Sequence, residues 1–213
     1  MEELDNWGIS LIEDVMEARY HFNNKPLEFS IFYSPLSYGP RLMIIGDNPG
    51  GQIGQPGLYH IPKIHEYVDP EPKRRYLMAN IMRDKIFSGE KLNQVLTNSV
   101  KTNRIFFRTP DLATLNAFSA KEEIIAYCRI CLNKIIDKIQ PQNILAESFG
   151  AFKSLSDMKQ VILTKANSNK ALLLGGQYKG IPVFGINHPS RASFHKITNE
   201  DWELVNKELE RLL

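Results

Sequence analysis

The sequence predicts an α/β protein, a three-layer α/β/α sandwich with a central, mostly parallel four-stranded sheet. Two observations support this fold class: short apolar runs alternate with longer segments whose apolar residues recur every three or four positions, and the first and last runs end at turn-forming residues. Strands separated by helices form parallel sheets with both faces covered. The length of 213 residues fits one large domain. We therefore expect a single domain over 1–213, with an N-terminal helix at about 5–21 and a core at about 30–213.

The helices are expected where apolar residues lie on one face of the segment. They cover residues 5–21, 73–87, 119–139, 149–155 and a last segment that begins near Thr198. Local capping signals mark two of the starts. Asp5 is a cap candidate for the first helix, and Ser119 with Glu122 forms a capping-box pattern before the third.

The four expected strands are short apolar runs, each separated from the next by a helical segment. In chain order they are Leu42–Ile45, Val95–Thr97, Ile144–Ala146 and Ile181–Ile186. In parallel sheets of this kind, ligands bind beyond the carboxyl ends of the strands. The residues that directly follow each strand are therefore the candidates for a functional site.

Those residues are polar. GDNPGG, with Asp47 and Asn48, follows the first strand, Asn98 follows the second, and NHPSRAS, with His188 and Ser190, follows the fourth. They supply a carboxylate, two amides, an imidazole and a hydroxyl, which we expect to converge at one edge of the sheet. The sequence contains neither a metal-ligand cluster nor the glycine motif of a nucleotide-binding loop. We therefore expect a polar site that uses no metal and no cofactor.

Composition narrows the function classes. The 26 basic and 24 acidic residues nearly balance, so any attraction to a nucleic acid must come from a local patch. Cys128 and Cys131 lie inside the third helix, where core packing is expected rather than a zinc, iron–sulfur or redox site. No apolar run is long enough to span a bilayer, and the acidic N-terminus does not resemble a secretory signal. The sequence therefore predicts an intracellular protein without a membrane partner.

Four motifs resemble those of the uracil-DNA glycosylase superfamily, in the family's order. They are the GxNPG pattern after the first strand, VLTNSVK at 95–101, ILAESFGAFKSL at 144–155, and HPS after the last strand. The segment YSPLSYGPRLMIIGDNPGG, residues 33–51, is most similar to the single-strand-selective monofunctional branch. The resemblance covers roughly residues 30–213.

The resemblance implies a monofunctional DNA base-excision repair glycosylase. Such an enzyme hydrolyses the N-glycosidic bond of uracil or a related deaminated base in DNA, needs no cofactor and works as a monomer. Its location would be the cytoplasm, at the nucleoid, in a bacterium and the nucleus in a eukaryote. Two alternatives stay open: a non-catalytic nucleic-acid- or nucleotide-binding protein with the same fold, and a small-molecule hydrolase that uses the same edge of the sheet.

The chemistry of this reaction explains the residue types. Breaking the bond between base and deoxyribose builds positive charge on the sugar and negative charge on the leaving base, and a water must reach the anomeric carbon. The resemblance implies that Asn48 positions this water and that His188 donates to uracil O2. Asp47 would assist as a base or stabilise charge on the sugar, or it would only form the turn. Asn98 would recognise the base through its amide.

The resemblance also implies contacts around the base. Tyr59, or its neighbour His60, would stack on the flipped base, unless Tyr59 packs in the core. Gly50 stands where strict uracil enzymes carry a tyrosine, so 5-substituted uracils are expected to fit. Ser190 and Arg191 would contact the DNA backbone, whereas Lys73, Arg74 and Arg75 are expected to form a solvated helix face. The position that would fill the gap left by the flipped base is Ala192, with Arg191 and Phe194 nearby on the same loop.

Overall fold

The computed structural model describes residues 2–22, 27–50, 54–71, 76–110, 112–156, 158–166 and 168–213. Its α-helices are α1 (Glu2–Ala18), α2 (Leu77–Ile81), α3 (Glu90–Thr97), α4 (Leu112–Asn116), α5 (Lys121–Ile139), α6 (Phe149–Leu155), α7 (Ala192–His195) and α8 (Asn199–Leu212). A π-helical turn, Met82–Ile86, continues α2, and a 3-10 turn, Pro189–Arg191, precedes α7. The strands are β1 (Met43–Gly46), β2 (Val100–Asn103), β3 (Ile144–Ala146), β4 (Gln160–Thr164), β5 (Ala171–Tyr178) and β6 (Ile181–Ile186).

The strands form one sheet in the order β2-β1-β3-β6-β5-β4. Strands β2, β1, β3 and β6 are parallel to one another. Strand β5 pairs antiparallel with β6, and β4 pairs antiparallel with β5. The predicted α/β class with a mostly parallel sheet is confirmed, but the sheet has six strands in the described part of the chain rather than four. The prediction missed these two strands: β4 is mostly exposed, and the apolar run at the start of β5 continues into paired glycines, which are uncommon inside strands.

One predicted strand is wrong. Residues 95–97 belong to α3, and the strand that follows is β2, Val100–Asn103. The apolar residues Leu92, Val95 and Leu96 recur at helical spacing and are the buried ones of α3. Burial of this face stabilises a helix where three consecutive residues alone suggested a strand.

Two helix starts also differ from the prediction. Helix α5 begins at Lys121 with Ala120 as its N-cap and without a side-chain cap bond, so Ser119 and Glu122 do not form the predicted capping box. The first helix begins at Glu2, before Asp5. The predicted helix 73–87 is described from Leu77 onward, and its residues 73–75 lie outside the described ranges. The last helix begins after Thr198 as expected, with a capping box formed by Thr198 and Asp201.

The sheet separates two apolar cores, which makes the domain a three-layer α/β/α sandwich. Side chains alternate between the faces along each strand. Met43 and Ile45 point into the core shared with α1, α5 and α6. Ile44 lies in the core shared with α2, the π-helical turn, α3 and α8. None of the helices in the described ranges combines the length and the apolar character needed to cross a bilayer.

The register of the parallel strands brings four chain segments to one edge of the sheet. Gly46, the last residue of β1, pairs with Asn103 at the end of β2. Ala146, at the end of β3, pairs with Gly185 near the end of β6. The residues that follow these strands therefore lie next to one another, and this edge holds the functional candidates.

Candidate active site

A cleft of about 1010 Å³ opens at the carboxyl ends of β1, β2, β3 and β6. We call it the rim cleft. Its polar and aromatic lining includes Tyr33, Asp47, Asn48, Gly50, Glu66, Tyr67, Tyr76, Lys101, Asn103, Arg108, Glu147, Phe149, Asn187, His188, Ser190, Arg191 and His195. Of the eight site residues expected from the sequence, the rim cleft contains Asn48, Asp47, Gly50, His188, Ser190 and Arg191, and it does not contain Asn98 or Tyr59.

The Asn48 amide is held in one orientation. Its Nδ2 donates to the carbonyl oxygen of Thr109 at 3.0 Å, to Thr109 Oγ1 at 2.9 Å and to the carbonyl oxygen of Pro49 at 3.2 Å. Thr109 is fully buried, so this anchor belongs to the rigid part of the domain. With Nδ2 engaged in this way, Oδ1 is the atom of Asn48 that would accept a hydrogen bond from a water in the rim cleft.

Asp47 is joined to two neighbours. Its Oδ1 accepts from Arg104 Nε at 2.8 Å, and its Oδ2 accepts from Ser148 Oγ at 2.6 Å. Ser148 is also the N-cap of α6, where its Oγ accepts from the Ala151 amide at 2.8 Å. Asp47 thus links the ends of β1, β2 and β3. Its ion pair with Arg104 was predicted neither by the catalytic role nor by the turn-forming role considered from the sequence. Its catalytic role stays a prediction.

His188 follows β6, and its side chain is half-buried. Its Nδ1 lies 2.9 Å from Ser190 Oγ. Burial lowers the pKa of His188, Asp47 acts in the opposite direction, and Arg191 lowers the pKa further. The imidazole is therefore neutral at neutral pH, which suits a hydrogen-bond donor toward a ligand.

Gly50 and Arg191 lie at the open side of the rim cleft, and both are exposed. A Cβ added to Gly50 would meet no atom of the described residues within 4 Å, so the position has room for a side chain among them. The carbonyl oxygen of Gly50 accepts from Arg108 Nη1.

The structure does not bring Asn98 to the site. Asn98 is exposed at the C-cap of α3, before β2 begins, and its Nδ2 donates to the carbonyl oxygen of Gln94 at 2.9 Å. The predicted position is wrong because it depended on a strand at 95–97. The amide at the carboxyl end of β2 is Asn103, which is buried and lines the rim cleft. The alternation of Val100 and Thr102 was the sequence signal for this strand.

Tyr59 also lies away from the rim cleft. Its ring packs against that of Phe29, with the two ring centroids 5.0 Å apart. Its hydroxyl donates to Glu28 and accepts from Arg19. Tyr59 therefore packs against the core, which was the alternative to stacking on the flipped base. His60 is exposed and is likewise not part of the lining. Among aromatic residues at the rim cleft, Phe149 lies at the start of α6, directly after the end of β3.

Gly46 allows two side chains to meet at the base of the site. A Cβ at Gly46 would lie 2.2 Å from Asn103 Oδ1 and 2.7 Å from Glu147 Oε2. Both oxygens therefore pack against the Gly46 backbone, and any other residue would displace them. This contact connects Asn103 with the group of charged residues around Glu147.

That charged group was not found by sequence reasoning. Lys101 Nζ lies 3.0 Å from Glu66 Oε1 and 3.1 Å from Glu147 Oε2, and Tyr67 donates to Glu147 Oε1. All four residues are buried and line the rim cleft. They come from segments far apart in the chain, so no local pattern pointed to them.

Within the described ranges, no three or more His, Cys, Asp or Glu side chains are arranged to hold a metal ion. Cys128 and Cys131 are free and buried. Lys73, Arg74, Arg75 and Gly51 lie outside the described residues.

The protein is an α/β/α sandwich, and its polar cleft lies at the carboxyl ends of the parallel strands. It therefore falls in the class of α/β proteins that bind ligands at the carboxyl ends of their strands. The model of the uracil DNA glycosylase superfamily matches residues 35–210, and the chain belongs to this superfamily. No curated protein matches the chain. Membership supports a DNA glycosylase as the general activity and DNA as the partner.

Proposed function

We propose that this protein hydrolyses the N-glycosidic bond of uracil, or of a related deaminated base, in DNA. The observation that carries the proposal is the convergence of Asn48, His188 and Asn103 at the ends of β1, β6 and β2 in one cleft. These groups match the needs of the reaction: an acceptor for the attacking water, a donor for the leaving base, and an amide that recognises the base.

In the proposed reaction, Asn48 Oδ1 accepts a hydrogen bond from water, whose oxygen adds to the anomeric carbon. The bond from this carbon to the base breaks, and its electron pair stays on the base. The second proton of the water leaves to solvent. We infer that the Ser190 hydroxyl donates to His188 Nδ1, so that the ring proton resides on Nε2 and points its hydrogen bond at the base carbonyl.

Asn103 takes the recognition role first considered for Asn98. One side-chain amide offers both a donor to O4 and an acceptor for N3–H of uracil, whereas cytosine presents the reverse pattern. Burying such a mismatch costs about 1–3 kcal/mol for each unpaired group. Phe149 is our candidate for the aromatic surface that stacks on the base.

We further propose that the enzyme is monofunctional, resembles the single-strand-selective branch and acts as a monomer. In support of a monomer, the groups assigned above to the water, the leaving base and base recognition come from one chain. Gel filtration with light scattering measures the mass of the free protein and of its complex with an oligonucleotide.

The deciding experiment is strand cleavage after alkaline treatment of oligonucleotides that carry a single uracil, hypoxanthine or undamaged base. We expect cleavage at uracil by the wild-type protein and loss of cleavage in Asn48→Ala. Binding without cleavage would favour a non-catalytic DNA-binding protein. Turnover of free deoxyuridine without oligonucleotide cleavage would favour a small-molecule hydrolase.

A further inference from the structure

The most deeply buried part of the rim cleft holds a group that we call the floor cluster: Lys101, Glu66, Glu147, Tyr67 and Tyr76. The Lys101 ammonium lies within ion-pair distance of both carboxylates, at 3.0 Å from Glu66 and 3.1 Å from Glu147. It also lies 4.9 Å from the ring centroid of Tyr67. The side chains of Lys101 and Glu147 are only 4% and 2% exposed, so solvent screens their charges weakly.

The charges of the floor cluster do not balance. One ammonium faces two carboxylates, which gives a formal charge of −1 if both are ionised. An uncompensated charge in a buried site is costly, and proteins usually neutralise it by taking up a proton. The arrangement therefore favours one additional proton on the carboxylate pair.

Each carboxyl accepts from Lys101 and from one tyrosine: Glu147 from Tyr67, and Glu66 from Tyr76. We assign the additional proton to Glu66 because its surroundings favour the uncharged form. Burial raises the pKa of Glu66, Lys101 acts in the opposite direction, and Glu147 raises the pKa further. Burial lowers the pKa of Lys101, but the two carboxylates outweigh burial and raise it, so the ammonium stays charged.

The remaining titratable groups around Glu66 stay neutral. Burial raises the pKa values of Tyr33, Tyr67 and Tyr76. Burial lowers the pKa of His65 to about 3, and Lys101 contributes in the same direction. As pH rises, the charge of the floor cluster therefore changes with the proton on Glu66.

We propose that the floor cluster determines which bases leave from this site: with its proton it is neutral and permits a base to depart as an anion, and without the proton its negative charge opposes that departure. This inference rests on the proposed glycosylase function. Glu147 Oε2 and Asn103 Oδ1 both occupy the space that a Cβ of Gly46 would take, so the cluster lies next to the residue that would hold the base.

The test is the pH dependence of single-turnover uracil excision by the wild-type protein and by Glu66→Gln. Glutamine keeps the size of Glu66 and is neutral at every pH. We expect the wild-type rate to fall at least about tenfold as pH rises through the pKa of Glu66, the effect of a unit charge several ångströms away. The rate of Glu66→Gln should not show this fall. Glu123→Gln, an exposed change in α5, is the matched control and should keep the wild-type profile.

Thermal unfolding provides a second readout that needs no activity. A carboxyl whose pKa is raised in the folded state destabilises the protein as pH rises from its unfolded value to its folded value. The melting temperature of Glu66→Gln relative to wild type should therefore increase with pH. Glu147→Gln neutralises the same cluster and replaces Glu66→Gln if that variant does not fold.

An unchanged alkaline decline in Glu66→Gln, or a melting-temperature difference that is independent of pH, would overturn the inference. Absence of excision by the wild-type protein on any oligonucleotide would instead refute the proposed function. In that case the unfolding experiment would still show whether Glu66 holds the proton.

Discussion

At the scale of single residues, Asp47 and Asn48 are neighbours with different surroundings. The Asp47 carboxylate is fixed between Arg104 and Ser148, while the Asn48 amide is fixed through its nitrogen to Thr109. Asn48 thereby presents Oδ1 as an acceptor in a set orientation, whereas both carboxylate oxygens of Asp47 already accept from protein groups. We infer that Asn48 positions the water and that Asp47 holds the strand ends together.

The first prediction concerns these catalytic assignments. Asn48→Ala and His188→Ala should each reduce the single-turnover excision rate by about 10²-fold or more, the scale of a lost transition-state hydrogen bond. Binding to uracil-containing DNA should persist, because phosphate contacts dominate affinity. The measurement pairs quench-flow kinetics with fluorescence anisotropy. Near-wild-type rates for both variants would remove the two residues from the mechanism.

The second prediction concerns Gly50. Since the structure leaves space around this position, the wild-type protein should excise 5-hydroxymethyluracil at a measurable fraction of its uracil rate. Gly50→Tyr should suppress excision of 5-hydroxymethyluracil more strongly than excision of uracil. Gly50→Ala is the control, because it replaces the same glycine with a small side chain. Competition between the two bases in one reaction measures the ratio directly. Complete rejection of 5-hydroxymethyluracil by the wild-type protein would show that another residue guards the pocket.

At the scale of elements, α7 shapes the open side of the rim cleft. It is a single turn that ends at His195, with Lys196 as its C-cap at a φ of 54°, and His195 belongs to the lining. Phe194 projects from the same turn with 81% of its surface exposed. Ala192 is half-buried against the second core, so Phe194 rather than Ala192 is the side chain free to enter DNA.

The third prediction follows from this exposure. Phe194→Ala should lower excision from a U:G duplex by roughly tenfold more than excision from a single strand, because an inserted side chain offsets the cost of unstacking only in a duplex. Ile130→Ala, which removes an exposed apolar residue of α5, is the matched control. Initial rates are compared on single-stranded, U:G and U:A substrates at one salt concentration. An equal loss on all three would contradict a role in base extrusion.

At the scale of the whole molecule, the formal net charge of +2 gives only a weak general attraction to DNA. We therefore propose that binding depends on local groups at the rim cleft, among them Arg191 and Arg108, which both line it. The same cleft sets the response to pH, because His188 and the floor cluster both line it.

The fourth prediction concerns the acidic side of that response. In the proposed reaction His188 accepts from Ser190 at Nδ1, which only the neutral ring can do, and it donates toward the base from Nε2. Activity should therefore be present above the pKa of His188 and should be lost as pH falls through it. Burial lowers this pKa from the ordinary value of 6.5, which places the acidic decline below that value. A nuclear magnetic resonance titration of the ring, assigned with His188→Gln, gives the pKa for comparison with the pH–rate profile. A decline centred above 6.5 would point to another group.

The location of Asn48 and His188 could be predicted because each follows a strand whose sequence is apolar over its own length. Burial of β1 and β6 in the sheet stabilises these runs as strands, and the turn residues mark where they end. The α/β class followed from the same periodicity. Helical spacing and short apolar runs are both properties of residues close together in the chain. These patterns can therefore be recognised in a single sequence.

Tertiary structure alone decided which polar groups meet. Asn103 rather than Asn98 enters the site because α3 extends to Thr97 and shifts β2 along the chain. Tyr59 instead packs against Phe29, and Lys101 pairs with Glu66 and Glu147 across segments that local patterns do not connect. Strand register and the packing of distant segments create these contacts. A one-residue change in register would turn Lys101 and Asn103 to the opposite face of the sheet, and this register is set by the pairing of β2 with β1, a distant segment of the chain.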